Sequence, residues 1–74
     1  MQWTKEEYSF LKSVGDNIVR IKKEKKITSK QVYEELDMDK SNYRRIEAGK
    51  TNVSLLLARR IAKILDVSIE ELTK

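Results

Sequence analysis

The stretch Thr28–Lys50, TSKQVYEELDMDKSNYRRIEAGK, decides the fold, because its apolar residues fall into two short runs of helical period with a break between them. Thr28 with Gln31 three residues on is a capping pair: the hydroxyl takes up a free N–H of the first turn and the amide reaches back to the cap. Val32 and Leu36, four apart, then share one face. Asp37-Met38-Asp39 interrupts the period, and Asp39 is placed to cap a second helix from Lys40 with its carboxylate. Tyr43 and Ile46 form the buried stripe of that helix, and Ala48-Gly49 stops it. Its opposite face carries Lys40, Ser41, Asn42, Arg44 and Arg45.

A helix fits the major groove of B-DNA, where residues near its N-terminus meet base edges and flanking groups hold phosphates. Arg and Lys suit guanine, Asn suits adenine and Ser suits either. The same residues would equally make a solvated basic face on an ordinary helical domain, since runs of charge are usually solvation. Spacing over a longer stretch separates the two readings.

That spacing consists of the apolar chain Val32, Leu36, Met38, Tyr43 and Ile46, then Glu47, Gly49 and Lys50, then Leu55 to Leu65 and Val67-Ser68-Ile69-Glu70-Glu71-Leu72. In these residues the chain resembles the phage-repressor and Cro-like (XRE) family of helix-turn-helix proteins, without a gap from Ile27 to Lys50 and more loosely from about Val14 to Leu72. The resemblance implies an all-α, five-helix repressor-like domain with an N-terminally extended first helix. One domain then covers residues 1–74, with the motif at about 28–48 and the recognition helix at about 40–48. It also implies a cytoplasmic, sequence-specific transcriptional regulator on double-stranded DNA, acting as a homodimer.

Carried over residue by residue, the family's base-reading positions fall on Lys40, Ser41, Arg44 and Arg45, with Asn42 beside them. Its phosphate-holding positions fall on Thr28, Ser29 and Lys50, and its structural ion pair on Lys22 and Glu47. Three positions depart from the family pattern. Tyr33 stands where a small residue is usual, so it must either tilt the two motif helices apart or swing its ring outward. Asp37 replaces the usual Gly of the turn and loses the ease with which Gly takes positive φ, although Asp tolerates it better than most. Ser29 stands where Gln is favoured. Asp37 and Asp39 also bring negative charge close to where phosphates would lie.

Outward from the motif, 74 residues allow one small domain, whose core is marginal unless its helices pack well or a partner adds surface. With no Cys and no His, neither disulfides nor the usual thiolate and imidazole metal sites are expected, and no cofactor is implied. No apolar run approaches the ~20 residues of a membrane span. The formal charge of +4 is mild, yet residues 20–30 hold six basic side chains against one acid and residues 40–50 four against one, while 31–39 hold four acids and no base. Local clustering of cations is what phosphate binding gains from.

At the N-terminus, Thr4 with Glu7 forms a capping box and Trp3 with Tyr8 a hydrophobic staple. Leu11, Val14, Ile18 and Ile21 continue one helix from about Thr4 to about Lys25, with Gly15 marking a close helix contact and Lys22, Lys23, Lys25 and Lys26 complementing the helix dipole. After a polar connection from Lys50 to Ser54, Leu55, Ala58, Ile61, Ala62 and Leu65 make the core face of a fourth helix. Leu56, Leu57 and Ile64 are left over, which points either to a homodimer or partner surface here or on the last helix, or to simple partial burial. Ser68 with Glu71 caps a last helix whose Ile69 and Leu72 cover the core.

A second functional reading is an antitoxin-type protein that binds a toxin as well as DNA, using the apolar surface of Trp3, Leu56, Leu57 and Ile64. An enzyme is not expected. Without His, Cys or a Gly-rich phosphate loop, no spacing pairs a nucleophile with a base.

Overall fold

Two of the capping boxes read from the sequence open helices in the computed structural model, which describes residues 2–74. Helix α1 spans Lys5–Lys25, α2 Ser29–Glu35, α3 Lys40–Glu47, α4 Leu55–Leu65 and α5 Ile69–Thr73, with no strand among the described residues. The Thr4–Glu7 and Thr28–Gln31 capping boxes are both closed, with the cap hydroxyl accepting from the N3 amide at 3.1 Å in each. Trp3 meets Tyr8 edge to face at 5.2 Å, completing the staple. Two other caps differ from expectation. Asp39 holds the cap position of α3 in extended conformation, but its carboxylate makes no capping hydrogen bond. Ser68 accepts from the Glu71 amide at 3.3 Å, whereas the Glu71 carboxylate turns to Lys74 at 3.2 Å instead of closing a box. Ser54, which the sequence left in the connection, caps α4 by accepting from the Leu57 amide at 3.0 Å.

Four helices end in the same way. The chain enters the left-handed region at Lys26, Asp37, Gly49 and Asp66, with φ of 58°, 55°, 71° and 57°. The next residue in each case, Ile27, Met38, Lys50 and Val67, donates its amide back to Lys22, Tyr33, Arg45 and Ala62 at 2.9 Å. This is the Schellman closure, which satisfies carbonyls that a helix end otherwise leaves free. Ile27, Met38 and Val67 also pack against the core, so each turn is anchored by an apolar contact.

The core holds Ile18, Val32, Tyr43, Ile46, Ile61, Leu65 and Leu72, all with less than 2% exposure except Ile46 at 2%. Helix α1, about 31 Å long at 1.5 Å per residue, lies along α3, α4 and α5 and spans the longest dimension of 32 Å. It contributes the expected face of Leu11, Val14, Ile18 and Ile21. On α4 the expected core face is half right. Ile61, Ala62 and Leu65 are buried, but Leu55, the first helical residue, is 77% exposed at the rim of a groove shared with α1 and α5. Leu57 and Ile64, which the pattern left over, are half-buried against the core, and Leu56 is 58% exposed. Asn17 closes the far end by donating its amide to the carbonyls of Leu72 and Lys74 at 2.9 and 3.1 Å.

Both glycines lie where α1 meets the end of α3. A Cβ on Gly15 would press on the Glu47 carbonyl, reaching 2.8 Å from its carbon and 2.9 Å from the Ile46 oxygen. A Cβ on Gly49 would fall 2.6 Å from the Lys12 Cα. Two turns beyond Gly15, Lys22 pairs with Glu47 at 2.8 Å, with the side chains only 10% and 18% exposed. Ser29 joins them, accepting from Lys22 and donating to Glu47 at 3.2 Å, so one network ties α1, α2 and α3.

Three stability outcomes follow, each read by thermal or urea unfolding. Gly15→Ala gains about 1 kcal/mol of helix propensity but forces α1 from α3, and a net loss of at least ~2 kcal/mol is expected. Asp37→Gly relieves a left-handed non-glycine residue and is expected to add about 0.5–1 kcal/mol, raising Tm by a few degrees. Glu47→Ala leaves the buried Lys22 without its carboxylate partner and should cost about 2–4 kcal/mol, while Lys22→Met/Glu47→Leu recovers most of it.

Candidate nucleic-acid interface

Amphipathicity orients α3. With Tyr43 and Ile46 at 0% and 2% exposure, Lys40, Ser41, Asn42, Arg44 and Arg45 are left on the surface, all of them exposed. The five residues read from the sequence as a recognition face are therefore brought together on one side of one helix. They divide by flank. Lys40 and Arg44 line a groove toward α2 together with Lys30 and Tyr33, with Tyr43 and Glu47 at its floor. Asn42 and Arg45 line a second groove toward the α3–α4 connection, beside Met38, Thr51 and Asn52. Ser41 lies between the two flanks. Arg45 also reaches the Lys50 carbonyl at 3.5 Å, which draws its guanidinium toward the C-terminal end of the helix.

The residues expected to hold phosphates are placed differently. Lys50 is exposed just past α3, where its side chain is open to solvent. The Thr28 hydroxyl is already engaged in its cap, accepting from the Gln31 amide and lying 3.2 Å from the Gln31 side-chain oxygen. Ser29 is half-buried and its hydroxyl is bound between Lys22 and Glu47. Its hydroxyl, expected as a phosphate ligand, thus lies in the interhelical network, because a short side chain on this edge of α2 meets the ion pair. Of the lysines after Ile21, Lys22 is buried in that pair, and Lys25 donates to the Asp66 carbonyl at 3.0 Å. Lys23 and Lys26 are exposed.

Tyr33 packs between the two motif helices. Its half-buried ring tilts against that of Tyr43, 6.1 Å between centroids and 48° between planes. The Tyr43 hydroxyl is enclosed and makes no hydrogen bond of acceptable geometry among the described residues. Burial first, and then the adjacent Glu47 carboxylate, push this phenol far above its ordinary value, so it stays neutral. Lys30 escaped the sequence reading, and Tyr33 entered it only as a packing departure. The available signal was that Lys30 is the one cation of α2, three residues before the one aromatic, on a helix otherwise ending in acids.

Elsewhere on the surface, Leu55 and Leu56 are the most exposed large apolar residues, with Tyr8 and Phe10 at 49% each. Phe10 and Leu55 line a common apolar groove with Val53 and Ile69. Of the expected partner surface, only Leu56 is openly exposed; Leu57 and Ile64 lie half within the core. Among the described residues, no helix is long and apolar enough to cross a membrane.

A family model described as helix-turn-helix matches residues 18–72, from the second half of α1 through α5, so residues 5–17 of α1 lie outside the matched span. No curated protein and no solved structure matches the chain. With the match covering most of its length, and with the motif formed by α2 and α3, the chain belongs to the Cro/XRE-type helix-turn-helix family of DNA-binding regulators.

Proposed function

We propose that the protein is a sequence-specific transcriptional regulator that sets α3 into the major groove of double-stranded DNA, as a homodimer reading two half-sites about one helical turn apart. The observation that carries this reading is the exposed polar and cationic face of α3, held opposite two fully enclosed side chains. Ser41, Asn42 and Arg45 present hydroxyl, amide and guanidinium groups that match base-edge donors and acceptors. Lys40 and Arg44 extend the same face, and Lys50 supports it from the chain just past the helix, where a cation fixes register on a phosphate. Thr28 and Ser29 contribute through the placement of α2 rather than through free hydroxyls.

A second reading, an antitoxin-type protein that binds a protein partner as well as DNA, draws on the exposed Leu55, Leu56, Tyr8 and Phe10. The same side chains would serve a homodimer. Light scattering separates a stable dimer from a monomer that awaits a partner, and Leu56→Glu is expected to shift a dimer to a monomer that keeps its helical circular dichroism while losing the concentration dependence of Tm.

Selection of bound duplexes from random DNA, followed by fluorescence anisotropy, tests the main reading. A palindromic site is expected, and Arg45→Ala should weaken it by about 5- to 150-fold, equivalent to the ~1–3 kcal/mol of a bidentate contact, while affinity for random duplex changes little. Recovery of no motif, with equal and weak binding by both proteins, would refute sequence readout.

A further inference from the structure

We propose that the groove between the end of α2 and the second half of α4 is where a second copy of this chain docks, with the cationic ridge of each copy entering the groove of the other. This rests on the homodimer reading above and deepens it by naming the faces that meet. None of the residues involved belongs to the side of α3 that the same reading turns toward DNA.

The groove has sides of opposite charge. Glu35 and Asp37, at the end of α2 and in the turn after it, line one side, and Arg60 and Lys63 of α4 line the other. Leu36 and Ile64, each partly buried against the core, line the same groove. All four charged side chains are exposed. Among the described residues none of the four takes part in an ion pair or a side-chain hydrogen bond. Within one copy, carboxylates and cations thus face a common space without pairing across it.

Charge selects the occupant. Nucleic acid would meet two carboxylates, and a strongly acidic or basic protein would be repelled by one side of the groove as it is attracted to the other. The complement of a surface with two acids on one side and two bases on the other is the same surface turned over. A two-fold axis running along the groove does this, bringing the acids of each copy against the bases of its partner, twice over. An axis across the groove would set acids on acids, so electrostatics also chooses the orientation. Shape agrees, because Leu56, Arg60 and Ile64 follow one another at four-residue spacing on α4 and form a ridge of the kind that packs into a groove. Leu56, at 58% exposure, extends the apolar part of that ridge beyond the charges.

Two double variants test the contact: an acid-sided chain, Arg60→Glu/Lys63→Glu, and a base-sided chain, Glu35→Lys/Asp37→Lys. Lys26 already occupies a left-handed closure like that of Asp37, so Lys fits there, and helical circular dichroism with Tm verifies each fold. Fluorescence anisotropy without DNA reads the association of each labelled variant with itself and with the other. The acid-sided and base-sided chains are expected to bind each other at least about tenfold more tightly than either binds its own kind. This preference should vanish in about 1 M salt, where the screening length is about 3 Å. A control pair of the same net charges, Lys5→Glu/Lys23→Glu with Glu6→Lys/Glu70→Lys, all at exposed positions, should show no preference. The milder Arg60→Gln/Lys63→Gln chain is expected to self-associate at least about threefold more weakly than wild type. If wild type dimerises in sedimentation and both charge-reversed chains self-associate as wild type does, the proposal is overturned with the homodimer reading intact. An equal preference in the control pair also overturns it, since general charge attraction then explains the result. If wild type stays monomeric up to about 1 mM, both readings of self-association fall together.

Discussion

Two glycines bring the backbone of α1 into direct contact with the end of α3, and the direction in which the exposed face of α3 points follows from that contact. Gly15 receives the Glu47 carbonyl and Gly49 rides over Lys12, so the approach is reciprocal and leaves no room for a Cβ on either side. Seven residues further along α1, about 10 Å at helical rise, Lys22 holds the carboxylate of that same Glu47. Attachment at separated points sets an angle as well as a position. Ser29 extends the attachment to α2, so the two motif helices are fixed to α1 and not only to each other.

Such fixing matters because α2 and α3 have seven and eight residues, well below the length at which an isolated helix holds in water. Their ends are closed by hydrogen bonds that the sequence places: a capping box before α2 and a Schellman turn after each. Two of the four left-handed closures fall on Asp and one on Lys, where glycine would be easier, and all three of these residues are exposed. Only at Gly49 does a backbone also crowd the site, which is why glycine is required there and merely favourable elsewhere. Packing supplies the rest, with Val32, Tyr43 and Ile46 driven into the same core as Ile18 and Ile61.

The surface that results is unequal in charge use. Around the core attachment, cations are matched: Lys22 by Glu47, and Lys25 by the Asp66 carbonyl. Along α3 and across to Lys30 they are left open. Uncompensated cations cost little while solvated and gain most when an anion arrives, so this asymmetry suits a regulator of DNA. The acids of the turn, Asp37 and Asp39, are exposed, and Asp39 makes no cap that would neutralise the start of α3. The chain keeps the attractive charge on the helix flanks and the repulsive charge at the turn.

Local rules were enough for the helices and for the face that α3 offers. Capping pairs, apolar spacing and the Gly49 stop are interactions within a few residues, and they located all five helices, the buried pair Tyr43 and Ile46, and the exposed Lys40, Ser41, Asn42, Arg44 and Arg45. The resemblance to known regulators located the Lys22–Glu47 pair, which spacing alone could not, because its partners are 25 positions apart. What the chain folded in three dimensions decided was the use of each polar or apolar group that local pattern left ambiguous. Ser29 became an interhelical link, Leu57 and Ile64 turned partly inward while Leu55 stayed out, and Lys30 and Tyr33 came to share a groove with Lys40 and Arg44. Each of these depends on which helix packs over a residue and at what angle. That is set by distant contacts such as Gly15 on Glu47, to which hydrophobic periodicity along a single helix is blind.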